Sequence, residues 1–233
     1  MNQALRLSSA HVFVGDIAAP VLQPDDVAHL SKSLRLRDGE TVSVSDGNGQ
    51  WRTCVWRQSE VVEPIGDVVT ESRRVPECAV ALTVVKGDRT DLAVEKLTEI
   101  GIDHIMLLAP LRRSVVRWDD KKFASNIERL SRIARGASMQ SRRVFLPRIT
   151  GPHSLSDVLS LPHSAIADPE GTSDVSSVST IVIGPEGGFD PDELVPESPR
   201  VSLGQNILRA ETAAIVAATL MVAHRARRSD HTG

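Results

Sequence analysis

The sequence is poor in aromatic residues: they make up 3% of its 233 positions, and tyrosine is absent. A core without large rings has to be filled by Val, Ile, Leu and Ala. Such a core suits α/β architecture, where strands covered on both faces read as aliphatic runs. Cysteine is nearly missing too. Cys54 and Cys78 form no CxxC pair and have no histidine at ligand spacing. That argues against a disulfide scaffold or a zinc centre and for two free thiols in a reducing compartment, so no metal is expected. Long hydrophobic runs are also lacking. The longest, residues 213–223, is too short to span a bilayer, and the opening MNQALRLSSAHVFV has no continuous apolar signal segment. A cytoplasmic protein with no membrane partner is expected.

The charged fraction of 24% and hydrophobic fraction of 41% are those of a soluble globular chain. The formal net charge of −3 argues against a general nucleic-acid binder. The distribution is uneven, however. Residues 112–148 hold eleven Lys/Arg and three acids, a local +8 on an acidic remainder. This predicts a basic face suited to selective contact with a polyanion.

The pattern changes near residue 75. Before it, short β-rich pieces dominate: strands are expected at 5–14, 40–45, 51–58 and 61–69. The turn DGNGQ between the second and third signals a hairpin. A short helix is expected at 25–34, capped by Asp25 or Asp26. This reads as a small β-barrel-like domain over 1–73. Residues 71–76 look like a linker. From 77 to 233, strands (79–85, 104–109, 144–149, 164–167, 180–183, 200–203) alternate with helices (88–100, 119–137, 154–161, 209–225). That alternation predicts an α/β domain with a mostly parallel sheet. The first of these helices is expected to turn Leu92, Ala93, Leu97 and Ile100 inward and to end at Gly101.

Two segments carry chemistry. The β-branched run 180–183 ends abruptly in Gly-Pro-Glu-Gly-Gly, residues 184–188. Ligands bind at the carboxyl ends of strands in open α/β sheets. The loop has neither Walker spacing nor GxGxxG, and Glu186 would repel phosphate, so a cationic ligand or a ribose fits better. A plain tight turn is the alternative. Residues 203–213, LGQNILRAETA, repeat the theme: a strand ends in glycine and a short loop enters an alanine-rich helix. Two such strand ends feeding one edge favour a ligand site.

IGPEGGF and LGQNILRAETA, together with KGDRTDLAVEKLTEIG (86–101), QSRR (140–143) and HLSKSLRLRDGE (29–40) followed by DGNG, resemble the bacterial 16S ribosomal RNA uridine-N3 methyltransferases of the SPOUT superfamily. The likeness spans nearly the whole chain in the same order. It implies a C-terminal α/β domain tied in a deep trefoil knot and an N-terminal PUA-like RNA-binding β-barrel. It implies S-adenosylmethionine as cofactor, 16S ribosomal RNA or the small ribosomal subunit as partner, and a homodimer packed through the last helix. The cofactor would lie against Ala167 and Asp168, against Ile183, Gly184, Pro185, Glu186, Gly187 and Gly188, and against Leu203, Gly204, Asn206, Ile207, Leu208 and Thr212. Ile207 and Leu208 would flank adenine or else pack in the core.

The implied reaction removes the weakly acidic N3 proton of uridine and needs charge stabilisation on the base. Arg209 is the candidate for the second task. Glu211 and Glu186 are candidates for the first, although Glu211 also suits a helix N-terminus by charge alone. RNA contacts are expected from Gln140, Arg142 and Arg143, from Arg112, Arg113 and Arg117, and from His29, Lys32 and Arg35. Two positions depart from the family pattern: Glu95 stands where Gln is common, and Met139 where Glu is common. A noncatalytic RNA-binding or assembly module, or a related enzyme with another RNA target, would share much of this pattern.

Overall fold

A computed structural model describes residues 2–194 and 197–230. The chain divides into two compact units, Met1–Arg73 with Arg135–Leu146, and Arg74–Ala134 with Pro147–Gly233. The division falls inside the expected linker. It also assigns 135–146, expected within the second domain, to the first unit. The cause is local pairing: Ser45 Oγ donates to the carbonyl of Val144 at 3.1 Å, and His11 Nε2 engages the carbonyl of Arg143 at 3.0 Å.

The first unit contains helix α1 (Gln3–Leu7), strand β1 (Ala10–Phe13), helix α2 (Pro24–Ala28) running into a π-helical turn (His29–Ser33), and strands β2 (Thr41–Ser45), β3 (Gln50–Arg57), β4 (Val61–Pro64) and β5 (Val69–Thr70). The expected strand 5–14 is therefore helix over its first three residues and strand only over Ala10–Phe13. Asn2 accepts a hydrogen bond from the Ala4 amide and caps α1. The expected strand 61–69 is interrupted because the amides of Ile65 and Gly66 both turn to the carbonyl of Thr53. Neither Asp25 nor Asp26 caps α2. Gln23 occupies that position without a side-chain bond, and Asp26 is buried in an ion pair with Arg135. β1 pairs with β2 in parallel, and β3 pairs antiparallel with β2, β4 and β5. Among the described residues no pairing joins β4 back to β1. Val12, Leu30, Val42, Val44, Cys54 and Trp56 form the core, where burial pushes the Cys54 thiol up to about 11.

The second unit has six strands, β6 (Ala79–Leu82), β7 (His104–Leu108), β8 (Arg148–His153), β9 (Ser164–Thr172), β10 (Thr180–Ile183) and β11 (Arg200–Val201). They run in the order β11-β9-β10-β6-β7-β8, and every pairing is parallel. Helices α3 (Arg89–Ile100), α4 (Asp120–Ser141), α5 (Leu155–Leu159) and α6 (Ala210–Asp230) complete it, with the last residues of α4 counted in the first unit. The expected strand at 144–149 lies instead at Arg148–His153.

Alternate residues of β6 and β7 feed opposite faces. Val80, Leu82, Ile105 and Leu107 pack with α3, α4 and α6, whereas Ala79, Ala81, Met106 and Leu108 pack with Leu155 and Val158 of α5. This two-sided cover explains the continuous aliphatic runs. α3 buries Thr90, Ala93, Val94, Leu97 and Thr98 and ends at the left-handed Gly101. Leu92 is exposed, not inward, because it falls a full residue off that face. α6 packs on α3, β6 and β10 through Ala214, Ala217 and Ala218. Small side chains there let the helices approach closely. Near its end Arg225, 4% exposed, forms a salt bridge with Asp103, which also accepts from the Cys78 amide. No helix is long and apolar enough to cross a membrane, and no group suited to a metal ion occurs, among the described residues.

Candidate active site

β9 and β10 are parallel neighbours, so their carboxyl ends open on one edge of the sheet. A cavity of about 350 Å³ lies there, within the second unit. Ala167, Asp168 and Pro169 supply one wall, residues 183–189 the second, and Leu203, Gly204, Asn206, Ile207, Leu208, Ala210 and Ala213 the third. Thirteen of the fourteen residues expected at a cofactor come together here. Thr212 does not: it is exposed and points elsewhere on α6. Pro169, Phe189, Ala210 and Ala213 were not anticipated. They are apolar wall residues with no chemical signature in a sequence.

The walls are largely backbone. A methyl at Gly184 would come 2.8 Å from the Phe189 ring, so any side chain there would have to displace that ring from the cavity wall. Gly204 has φ +142, a conformation side chains rarely adopt, and it turns the third wall into α6. Asp168 is committed to the wall: it pairs with Arg200 at 2.8 Å and accepts from the Glu170 amide. Leu208 packs partly on the core while lining the cavity. Ile207 is 92% exposed, which rules out core packing and leaves an apolar side chain beside an open site.

Arg209 immediately precedes α6 and is exposed. Its guanidinium has no hydrogen-bond or ion-pair partner among the described residues. Glu211, in the first turn of α6, is 7% exposed, and its Oε2 is buried without a partner. Its Oε1 lies 4.0 Å from Arg89 Nε, and Arg89 Nη1 donates to Glu186 Oε1 at 3.4 Å. Arg89 therefore links the two carboxylates considered as bases. It begins α3, just beyond the end of β6, so a third strand end contributes to this edge. Arg89 lies in the segment KGDR, which entered only as part of the family resemblance, and it was not among the expected site residues.

The arginines upstream are less available than their number suggested. Arg112 pairs with Asp190 (3.3 Å) and Asp192 (2.6 Å), and Arg113 with Asp190 (3.6 Å) and the Gly187 carbonyl (3.1 Å). Arg117 donates to the carbonyls of Leu111 and Arg112. Arg129 pairs with Asp91, and Arg148 with Glu77. The expected basic face of 112–148 is thus broken up, partly neutralised by acids from distant positions, and divided between the two units. His29, Lys32, Arg35, Gln140, Arg142 and Arg143 all fall in the first unit. Beside them His11 is held neutral: burial lowers it to about 4, and Nε2 donates to the Arg143 carbonyl.

The RNA methyltransferase domain model matches residues 72–222. A Mycobacterium bovis protein named ribosomal RNA small subunit methyltransferase E is 30% identical, over 86% of this chain and 84% of its own. The chain belongs to this RNA methyltransferase family. A Bacillus subtilis family member of the same name is 29% identical over 83% and 85% of the two chains. In structure, the family fold recurs in a Legionella pneumophila methyltransferase solved with bound S-adenosylmethionine (TM-score 0.78, 25% identity, 91% and 96% coverage). It recurs in the Neisseria gonorrhoeae ribosomal RNA small subunit methyltransferase E (TM-score 0.72, 23% identity, 91% and 96% coverage).

Proposed function

We propose that the protein transfers a methyl group from S-adenosylmethionine to 16S ribosomal RNA, at N3 of a uridine. The observation that carries this is the cavity formed by two glycine-ended loops and the end of β9, with an unpaired arginine at its rim, in a chain of the RNA methyltransferase family. The cavity suits the cofactor on its own terms. Its lining is apolar and backbone-rich, its volume is that of a small-molecule site, and Glu186 favours a cation over a phosphate. Residues 183–188 and 203–208 would hold the cofactor, which when bound supplies an electrophilic methyl on a sulfonium.

The protein's own groups do the rest. Holding the base at the mouth of the cavity, against the cofactor, would replace a bimolecular encounter with an oriented one. Loss of the N3 proton leaves negative charge on the base oxygens, and Arg209, free of protein partners, is placed to stabilise it. Glu211 is the better candidate to accept the proton: it is buried with one oxygen unpartnered, whereas Glu186 is exposed. Arg89 orients both carboxylates. The finer features follow from the family likeness: a trefoil knot behind the cavity, a PUA-like first unit that contacts RNA, a homodimer, and a cytoplasmic location with the small ribosomal subunit as partner. Titration calorimetry with S-adenosylmethionine tests the reading. Saturable binding is expected, and RNA binding without any cofactor binding would instead establish a noncatalytic assembly factor.

A further inference from the structure

The first unit contains a cavity of its own, of about 350 Å³, that the methyl-transfer chemistry does not use. It is bounded by β1, by the turn from α2 into His29–Ser33, and by the end of α4. Ala10, Leu34 and Met139 give it apolar walls. His29, Gln140 and Arg142 give it polar ones.

The charges of this cavity are unbalanced. The Arg142 guanidinium is half-buried and donates only to carbonyls: Met139 at 3.1 Å, Ser8 at 2.9 Å and Ser9 at 3.2 Å. No carboxylate faces it among the described residues, and burial pushes its pKa down. The acid on the wall, Asp26, is already neutralised by two bonds from Arg135 at 2.6 and 2.9 Å. A cation that the protein neither pairs nor leaves in water is suited to an incoming anion.

The polar groups beside it are also unused. Among the described residues the Gln140 amide and the His29 ring make no side-chain hydrogen bond. An amide offers a donor and an acceptor side by side, as a base edge requires. The backbone is unusual at the same rim. Arg142 (φ 59) and Arg35 (φ 52), which follows Leu34, are left-handed although neither is glycine. A π-helical turn runs between His29 and Ser33. Strained backbone and π-turns cluster at functional sites.

We propose that this cavity binds one unpaired nucleotide of the RNA substrate, with its phosphate against Arg142 and its base edge against Gln140 and His29. The proposal rests on the RNA-methylating reading, and the nucleotide is not the methylated one, whose base belongs to the second unit. Unpaired RNA is read in this manner, with bases splayed out, stacked on His or Arg planes and hydrogen-bonded at their edges. An acidic peptide would satisfy Arg142 but leave the amide and the apolar walls without partners.

The test uses the full chain and fluorescence anisotropy with a labelled single-stranded RNA, the same RNA made abasic, and polyglutamate as competitor. Gln140→Ala is expected to weaken intact RNA by about tenfold, the scale of one lost buried hydrogen bond. Abasic RNA should bind the unaltered protein correspondingly less well. Arg142→Gln should lower the slope of log affinity against log salt by about 0.7, one phosphate contact to a single strand, while Arg142→Lys keeps the slope. Calorimetry with S-adenosylmethionine should give unchanged affinity in every variant, which also confirms folding. Equal binding of abasic and intact RNA, full RNA affinity in Gln140→Ala, or displacement of RNA by polyglutamate would each overturn the nucleotide site. In a protein that still methylates RNA those outcomes leave the enzyme reading intact. Absence of RNA binding by the unaltered protein overturns both.

Discussion

Arg209 and Arg89 stand at the same cavity edge in opposite states. Arg89 is engaged with Glu186 and Glu211, whereas Arg209 has no protein partner. An unpaired guanidinium at a mouth of this kind is useful when charge develops on a ligand, and an engaged one when carboxylates have to be held still. Arg209→Ala is therefore expected to lower kcat by about 100-fold, the usual cost of one transition-state donor, while the affinity for S-adenosylmethionine stays within about twofold. Single-turnover methylation and calorimetry together check this; an unchanged rate removes Arg209 from the mechanism. Asp103 shows what a purely structural charge looks like. It is buried against Arg225 and caps the Cys78 amide. Asp103→Ala takes the carboxylate away from a buried guanidinium and should cost about 3–5 kcal/mol of stability, read by denaturant unfolding. A loss below about 1 kcal/mol would mean that water reaches Arg225.

At the scale of elements, the parallel sheet was readable because both of its faces are covered. β6 is apolar throughout, β7 and β10 are apolar after His104 and Thr180, and the helices between them repeat every three to four residues. The two glycine-ended loops were readable because glycine is needed where a chain turns tightly past an apolar ring, as at Gly184 beside Phe189. What escaped was decided by tertiary partners. The tail of α4 and Val144 pack with the first unit because His11 and Ser45 bind carbonyls there, and no periodicity encodes that. Asp26 resembled a helix cap in sequence, but its partner, Arg135, lies 109 positions away. Arg89 escaped because a lone arginine at a helix start is ordinary until Glu186 and Glu211 are seen on either side. The charge window 112–148 misled for the same reason: a stretch of sequence is not a surface.

For the whole molecule, a buried histidine, His11, and a half-buried one, His104, predict how stability follows pH. Burial lowers His11 to about 4 and His104 to about 4, the latter helped by Arg148 and His153. In the unfolded chain both rings take up a proton near 6.5. Between about pH 6.5 and 4 the unfolded state thus binds more protons than the native one. Their contribution is full above pH 6.5 and is lost as pH falls toward 4. The melting temperature should drop by several degrees between pH 7 and pH 5, and His104→Asn should flatten that drop. A melting temperature that is level over this range would show that both rings protonate in place. At the same scale, a net charge of −3 with Arg112, Arg113, Arg129, Arg135 and Arg148 held in ion pairs argues for a small, specific RNA footprint.

The central claim, methylation of small-subunit ribosomal RNA at uridine N3, is tested most directly by mass-spectrometric nucleoside analysis. Ribosomal RNA from a strain lacking this protein would be analysed before and after incubation with the purified protein and S-adenosylmethionine. The account predicts the appearance of 3-methyluridine in the small-subunit RNA, absent with Arg209→Ala over the same short incubation. No new methylated nucleoside, or a methyl group on another base or on ribose, would contradict it.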